Sequence, residues 1–399
     1  MKKSLLASTL LSVILSTSAC ASQLVVWEDI DKGHGITKAI EEFEEDTGCK
    51  VVLEQMPYVQ HIPTMLENKE NGGSIPDVLM LPGDRLGDAA LKGNIIPLDF
   101  MEAEQNRYIP SAISTFTFNN KIYAMPRSVE TMVVYYNQDL LKYPFENFQD
   151  YVDFSKQMLK EGRYGVIGKL DVFYYSFGFL GGFGAYVFKD KGNGILDPDD
   201  LGLDKPEAIA GLEYVKQLID TIIPISLIGD SGWSEVNNLF ISGKAAAVIS
   251  GPWELDNYAK AGINYGVAPL GKLPNGKNFT PFLGYRGYAI SSLSKNKELA
   301  AKFLTYLNKR DNAVDRYSQI HEIPPLTEIM GLPIIQNDDF ANAVLTQAVT
   351  AYPMPAIPQM SEVWGPIDKV FGEVALSQIS PKDGLKRAAK EIRESISQE

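Results

Sequence analysis

Histidine, cysteine and positive charge are scarce in this chain, and each shortage removes a class of function. His34, His61 and His321 are the only histidines, none at metal-ligand spacing from another, and no H-E-x-x-H, G-x-S-x-G or Walker pattern occurs. Metal and triad chemistry therefore have no signature here, and neither a metal nor a cofactor is implied. The Asp-, Gly- and Asn-rich stretch 190–204 fails the calcium-loop spacing, because Lys189 and Lys191 would stand at its first and third ligand positions; it reads as a solvated turn. There are two cysteines, and Cys20 lies in a processing region, so no disulfide framework is expected and Cys49 reads as a small buried apolar residue. Thirty-seven Lys and Arg against 50 Asp and Glu give a formal charge of −13. That sign repels phosphate backbones and anionic lipid, so nucleic acid is not an expected partner.

What the chain does carry begins at residue 2. Lys2 and Lys3, the apolar run Leu5 to Leu15 and the small residues Thr17 to Ser22 form an export signal, too short to stay as a membrane span and followed by no stop-transfer pattern. Residues 1–21 are read as this leader. Ser18-Ala19-Cys20 fits a permissive lipoprotein box, although Thr17 stands where a strong one has Leu, and Ala19-Cys20-Ala21 also fits ordinary signal peptidase. Lipidation of Cys20 is favoured, because it accounts for the cysteine and would tether the protein to a membrane surface. The mature chain then works outside the cytoplasm, in a periplasm or at the cell surface. About 380 residues remain, too many for one ordinary core, so two domains are expected.

Leu24 to Trp27 reads as a buried strand that enters a polar loop, 28–35, and a helix carrying Ile36, Ile40 and Phe43 up to Gly48; Cys49 to Leu53 returns to a strand. Val78 to Leu81 is another apolar run, after which Asp84 is expected to N-cap the next helix. This is β-α-β grammar. Ligands collect at the carboxyl ends of such strands, which makes Asp31-Lys32 and Asp84-Arg85 candidate site loops. Two further strands are expected at 121–125 and 131–136, joined through 126–130. More α/β elements follow, at 209–219, 236–241, 245–249, 265–269, 284–290 and 297–308, and an amphipathic helix closes the chain at 383–397.

Aromatic residues crowd one segment: Phe173, Tyr174, Tyr175, Phe177, Phe179, Phe183, Tyr186 and Phe188. Trp253 follows a strand and Trp364 follows a proline-rich loop. A sugar ring offers an apolar face and a hydroxyl edge, so its cleft needs flat aromatics together with planar charged groups, and this chain places both on what read as loops. Phe177, Phe179, Phe183 and Phe188 are assigned to the core; Tyr174, Tyr175, Trp253 and Trp364 are assigned to the cleft.

At these residues the chain resembles the bacterial maltose and maltodextrin-binding proteins, solute-binding subunits of ABC sugar importers. The likeness rests on Val26-Trp27 with Asp31-Lys32-Gly33, on Phe43 to Gly48, on Pro76-Asp77 with Asp84-Arg85, and on Val129-Glu130 ahead of Tyr136 to Leu141. It continues through Gly184 to Phe188, Gly251-Pro252-Trp253, Asn264 to Val267, and Met354 to Ser361 with Trp364. The resemblance implies a two-lobed α/β periplasmic-binding-protein fold of type II. Its lobes would be discontinuous, 22–130 with 285–335 and 131–284 with 336–399, with crossings near 128–133, 282–287 and 333–339. It implies a monomer that closes on an oligosaccharide, delivers it to permease subunits and performs no chemistry. It assigns Asp31, Lys32, Asp84, Arg85 and Glu130 to sugar hydroxyls, Tyr174, Tyr175, Trp253 and Trp364 to sugar faces, and Met354 beside them.

Three departures bear on the ligand. Leu81 stands where the maltose binders place a tryptophan, Val172 where they place a glutamate, and Gly365 where an aromatic follows the last tryptophan. Arg127 and Arg286 lie at expected crossings where those proteins lack them, which keeps another disaccharide or an acidic sugar open, although both arginines could simply pair with the surplus acids. Two rival functions stand beside this one: an exported glycan hydrolase, and a ferric-ion binder using Tyr135, Tyr136, Tyr174 or Tyr175 with a histidine.

Overall fold

The computed structural model describes residues 23–398 apart from Asn193; the leader and Cys20 lie outside the described residues. Two sheets organise the chain. The first has six strands. Gln23–Glu28 lies between Lys50–Gln55 and Val78–Pro82, parallel to both, and Phe282–Ile290 joins antiparallel to Val78–Pro82. Ala124–Glu130 and the short Tyr352–Pro353 complete it by pairing with Phe282–Ile290. The second sheet runs Tyr265–Ala268, Val133–Asn137, Ala245–Ser250, Tyr164–Ile167.

Local chemistry explains the elements around them. The helix Thr37–Thr47 buries Ala39 and Phe43 and ends at Gly48, whose φ of 70° supplies the left-handed cap. The last helix, Pro381–Ile396, starts with Pro at its first position and with Ser380 accepting from the Asp383 N–H at 3.1 Å, and it buries Leu385, Ala388, Ala389 and Ile392 on one face. Cys49 is buried, as its reading required.

Three expectations need correction. Residues 126–130 are not a connection but part of the Ala124–Glu130 strand, which among the described residues pairs only with Phe282–Ile290 and so tolerates Pro126 at a sheet edge. The ladder skips Arg127, with Ser128 opposite Arg286 and Pro126 opposite Gly287. Asp84 is not an N-cap; it sits within a 3-10 turn, Gly83–Arg85, ahead of Leu86–Leu91, and its side chain caps nothing. Tyr174 and Tyr175 are not on a loop but in the first turn of a helix, Phe173–Gly182, and Trp364 likewise lies within a helix, Ser361–Ala375.

The bulge at Arg127 turns its side chain into the first lobe, fully buried. Its guanidinium bridges Glu28 and Glu322 and lies 4.9 Å from the Tyr288 ring centre, while the Tyr288 hydroxyl donates to the second Glu28 oxygen at 2.7 Å. Both buried carboxylates pair directly with this one cation. Replacing it with an apolar side chain removes the ion-pair partner of both, so Arg127→Met is expected to lower unfolding free energy by about 3–5 kcal/mol. Urea unfolding measures this; a loss under about 1 kcal/mol would mean that Glu28 and Glu322 find other compensation.

Candidate functional site

Strand polarity decides where chemistry gathers. Gln23–Glu28, Val78–Pro82 and Ala124–Glu130 end on the same side of the first sheet, bringing Asp29, Asp84-Arg85 and Glu130 to one edge with Arg286, which stands opposite Pro82. Arg286 contacts Glu130 at 2.6 Å and Asp29 at 3.0 Å, and it lies 5.0 Å from the Tyr58 ring centre. In the second sheet, Tyr164–Ile167 and Ala245–Ser250 are parallel, and their carboxyl ends lead into the segments carrying Tyr174, Tyr175 and Trp253. A cavity of about 430 Å³ lies between the two edges, within the size of small-ligand sites.

One wall is aromatic. Trp233, Tyr175, Trp253 and Tyr174 follow one another at centroid separations of 5.4, 6.0 and 6.0 Å, and Tyr174 stacks on Phe282, which contacts Trp364 at 6.1 Å. Gly251 is required beside this row, because a Cβ there would stand 2.2 Å from the Trp253 indole. The opposite side is polar: Asp84, Arg85, Glu130 and Arg286, with Tyr58 and Tyr285 beside them. Asp368 lies among the lining residues and accepts the Phe173 N–H at 2.8 Å at the start of the Phe173–Gly182 helix. The Trp364 indole N–H is buried with no acceptor within hydrogen-bond distance among the described residues, although it is near enough to Asp84 to favour that carboxylate.

Eight of the ten expected ligand residues line this cavity: Asp84, Arg85, Glu130, Tyr174, Tyr175, Trp253, Met354 and Trp364. Asp31 does not. It is exposed at φ 59° and lies outside the lining. Lys32 lines a small adjoining recess with Glu130, Trp253 and Arg286, and its ammonium lies 3.9 Å from Asp256, in the helix Leu255–Lys260. Asp256 also accepts from His321 at 3.0 Å, so Lys32 and His321 meet one carboxylate beside the cleft. Leu81 is buried within its strand, opposite Gly287, and lies outside the lining, so it does not leave a gap in the cavity wall. Val172 does line the cavity, and an added side chain at Gly365 would meet nothing within 4 Å. Tyr58, Trp233, Asp29 and Asp368 were not foreseen.

The tyrosines named for iron do not converge: Tyr135 is buried, with its hydroxyl donating to the Gly251 carbonyl. No described histidine lines the cavity; His61 is buried between the Met56 and Met80 carbonyls. Arg127 and Arg286 both pair with acids, as surplus carboxylates suggested.

Burial pushes Asp84 and Glu130 above their ordinary carboxylate values, opposed by Arg85 and Arg286 respectively. Protonating them as pH falls through this raised range relieves the folded state, whereas the ionised forms are the stronger acceptors for ligand hydroxyls. Affinity and the stability contribution of these two groups should therefore move in opposite directions between neutral pH and about pH 4.5. Calorimetric titration and urea unfolding across that range, in parent and Asp84→Asn, measure both; an affinity indifferent to pH would contradict the assignment.

Comparisons with known proteins agree with this geometry. A model of the bacterial extracellular solute-binding protein family matches residues 38–342. The galactooligosaccharide-binding protein of Bacillus subtilis is 35% identical, over 95% of this chain and 91% of that protein. A maltooligosaccharide ABC transporter solute-binding lipoprotein of Streptococcus pneumoniae is 31% identical, over 96% of this chain and 91% of its own length. The structure of MalX from Streptococcus pneumoniae in complex with maltopentaose superposes with a TM-score of 0.85 at 30% identity, covering 93% of this chain and all of that one. The chain belongs to the bacterial extracellular solute-binding proteins, in their two-lobed α/β form.

Proposed function

We propose that this protein is the solute-binding subunit of an ABC importer, that it captures a neutral oligosaccharide between its lobes, and that it releases it unchanged to permease subunits. The observation that carries this is one cavity with a row of aromatic faces from one lobe and a bank of hydrogen-bonding charges from the other. The row is longer than one sugar ring, which favours several linked rings. The buried Trp364 N–H is a donor that a sugar oxygen would satisfy. Relatives whose names specify galactooligosaccharide and maltooligosaccharide support the ligand class. The carboxylates of Asp29, Asp84, Glu130 and Asp368 outnumber Arg85 and Arg286 around the cleft, which argues against an acidic sugar.

Asp84, Arg85 and Glu130 act on hydroxyls in this reading, Tyr174, Tyr175, Trp253 and Trp364 on ring faces, with Met354 alongside. Asp31 has no role, and Lys32 acts through Asp256 rather than on the sugar. The lobes are 22–130 with 285–335 and 131–284 with 336–399, and contacts from both exist together only when the cleft is closed, so binding shifts the hinge equilibrium. The protein is a monomer outside the cytoplasm, tethered through Cys20; a Streptococcus relative whose name specifies a lipoprotein supports the tether. Labelled palmitate should enter the parent and not Cys20→Ala.

The direct test is thermal-shift screening against maltose, maltotetraose, a β-1,4-linked galactotetraose, trehalose and a uronic-acid disaccharide, with mass spectrometry of the recovered sugar. A binder raises the melting temperature by mass action. A neutral tetrasaccharide should give the largest shift and return intact; cleavage would favour the hydrolase reading, and no shift with any neutral sugar would end this one. Trp253→Ala should weaken binding by about 1–3 kcal/mol without a matching loss of unliganded stability.

A further inference from the structure

Trp233 stands at the outer end of the aromatic row, 44% exposed, and begins the helix Gly232–Ile241 through a loop that starts at Leu227. Beneath it lies Lys169, which is 1% exposed. An ammonium has three donors and no acceptor, and here each has a partner: the carbonyls of Leu227 and Gly229, both at 2.7 Å, and the Asp171 carboxylate at 3.2 Å. Asp171 in turn accepts the Gly229 N–H at 2.7 Å. The same ammonium lies 5.2 Å from the Trp233 ring centre, within cation–π range. Two glycines permit the wrap. Gly229 has φ +83°, and a Cβ at Gly232 would stand 2.0 Å from the Leu227 carbonyl oxygen.

A buried cation is an expensive way to fill space, since an apolar side chain of similar size generally does so at less cost. What Lys169 adds is direction: it fixes two carbonyls of one loop and one ring face relative to Asp171, three residues before Tyr174. We propose that Lys169 is a positioning residue for ligand binding, holding Trp233 at the outer end of the cleft and so setting affinity for oligosaccharides long enough to reach it. The proposal rests on the oligosaccharide reading above. Lys169 itself touches no sugar.

The test compares parent, Lys169→Met, Trp233→Ala and the double variant. Each is titrated with maltotetraose, a β-1,4-linked galactotetraose and the matching disaccharides. Each is also labelled with 5-fluorotryptophan; the chain has four tryptophans, and the Trp233 ¹⁹F line is the one lost in Trp233→Ala. Lys169→Met is expected to shift or broaden that line, to weaken the tetrasaccharide about five- to tenfold and the disaccharide less than about twofold, and to have less than about a twofold effect in the Trp233→Ala background. Equal losses in both backgrounds, equal losses for short and long sugars, or an unmoved line would overturn it. If Lys169→Met does not fold, Asp171→Asn enters the same comparison. If the parent binds no sugar at all, the oligosaccharide reading and the affinity part fall together, while the ¹⁹F line still decides whether Lys169 positions Trp233.

Discussion

The contact of Arg286 with Asp29 and Glu130 is the interaction on which the cleft depends. Three strand ends deliver like-charged carboxyl groups to one edge of the first sheet, an arrangement that repels itself and is poorly hydrated. A guanidinium in the middle strand, reaching Asp29 at 3.0 Å and Glu130 at 2.6 Å, turns that repulsion into a fixed polar floor. Its face rests on Tyr58, so the floor is also held from the side. Arg127 does the corresponding work one layer deeper, where Glu28 and Glu322 are buried. The alternation of Arg286 toward the cleft and Arg127 into the core follows from the bulge that removes Arg127 from the ladder.

On that floor the second lobe places a wall of opposite character. The helix Phe173–Gly182 and the turn at Pro252–Glu254 both spring from carboxyl ends of parallel strands, so their aromatics face the cleft for the same topological reason that Asp84 and Glu130 do. Thr131 donates to the Phe282 carbonyl at 2.8 Å, linking two passages of chain near the lobe boundary. On the cleft side, Asp256, which follows the Ala245–Ser250 strand of the second sheet, meets Lys32 and His321. The His321 hydrogen bond, followed by the charge of Lys32, holds Asp256 below its usual value against the cost of burial.

Much of this was legible in the sequence, and the failures have physical causes. The β-α-β segments were readable because their apolar runs are short and end at glycine, as at Gly48. Pro126 hid a strand, since proline is expected outside ladders and an edge position cannot be recognised without the partner strand. Eight of the ten expected residues line the cavity, and several of them were marked by short motifs, such as Asp84-Arg85 after Val78–Pro82 and Gly251-Pro252-Trp253 after Ala245–Ser250. Trp233, Tyr58 and Asp368 were missed because nothing in their own neighbourhoods marks them: each is brought to the cleft by tertiary packing alone. Asp31 lies outside the cavity lining for the converse reason, since a loop after a strand faces the cleft only along part of its length, and here it is Asp29 that reaches Arg286.

The central claim is that one oligosaccharide is held jointly by the aromatic wall and the charged floor. A crystal structure with maltotetraose or a β-1,4-linked galactotetraose, whichever binds more tightly, tests it most directly. The account predicts sugar rings lying face-on to Trp253 and Tyr174 with hydroxyls on Asp84 and Glu130. A sugar contacting only one of the two lobes, or bound away from this cavity, would contradict it.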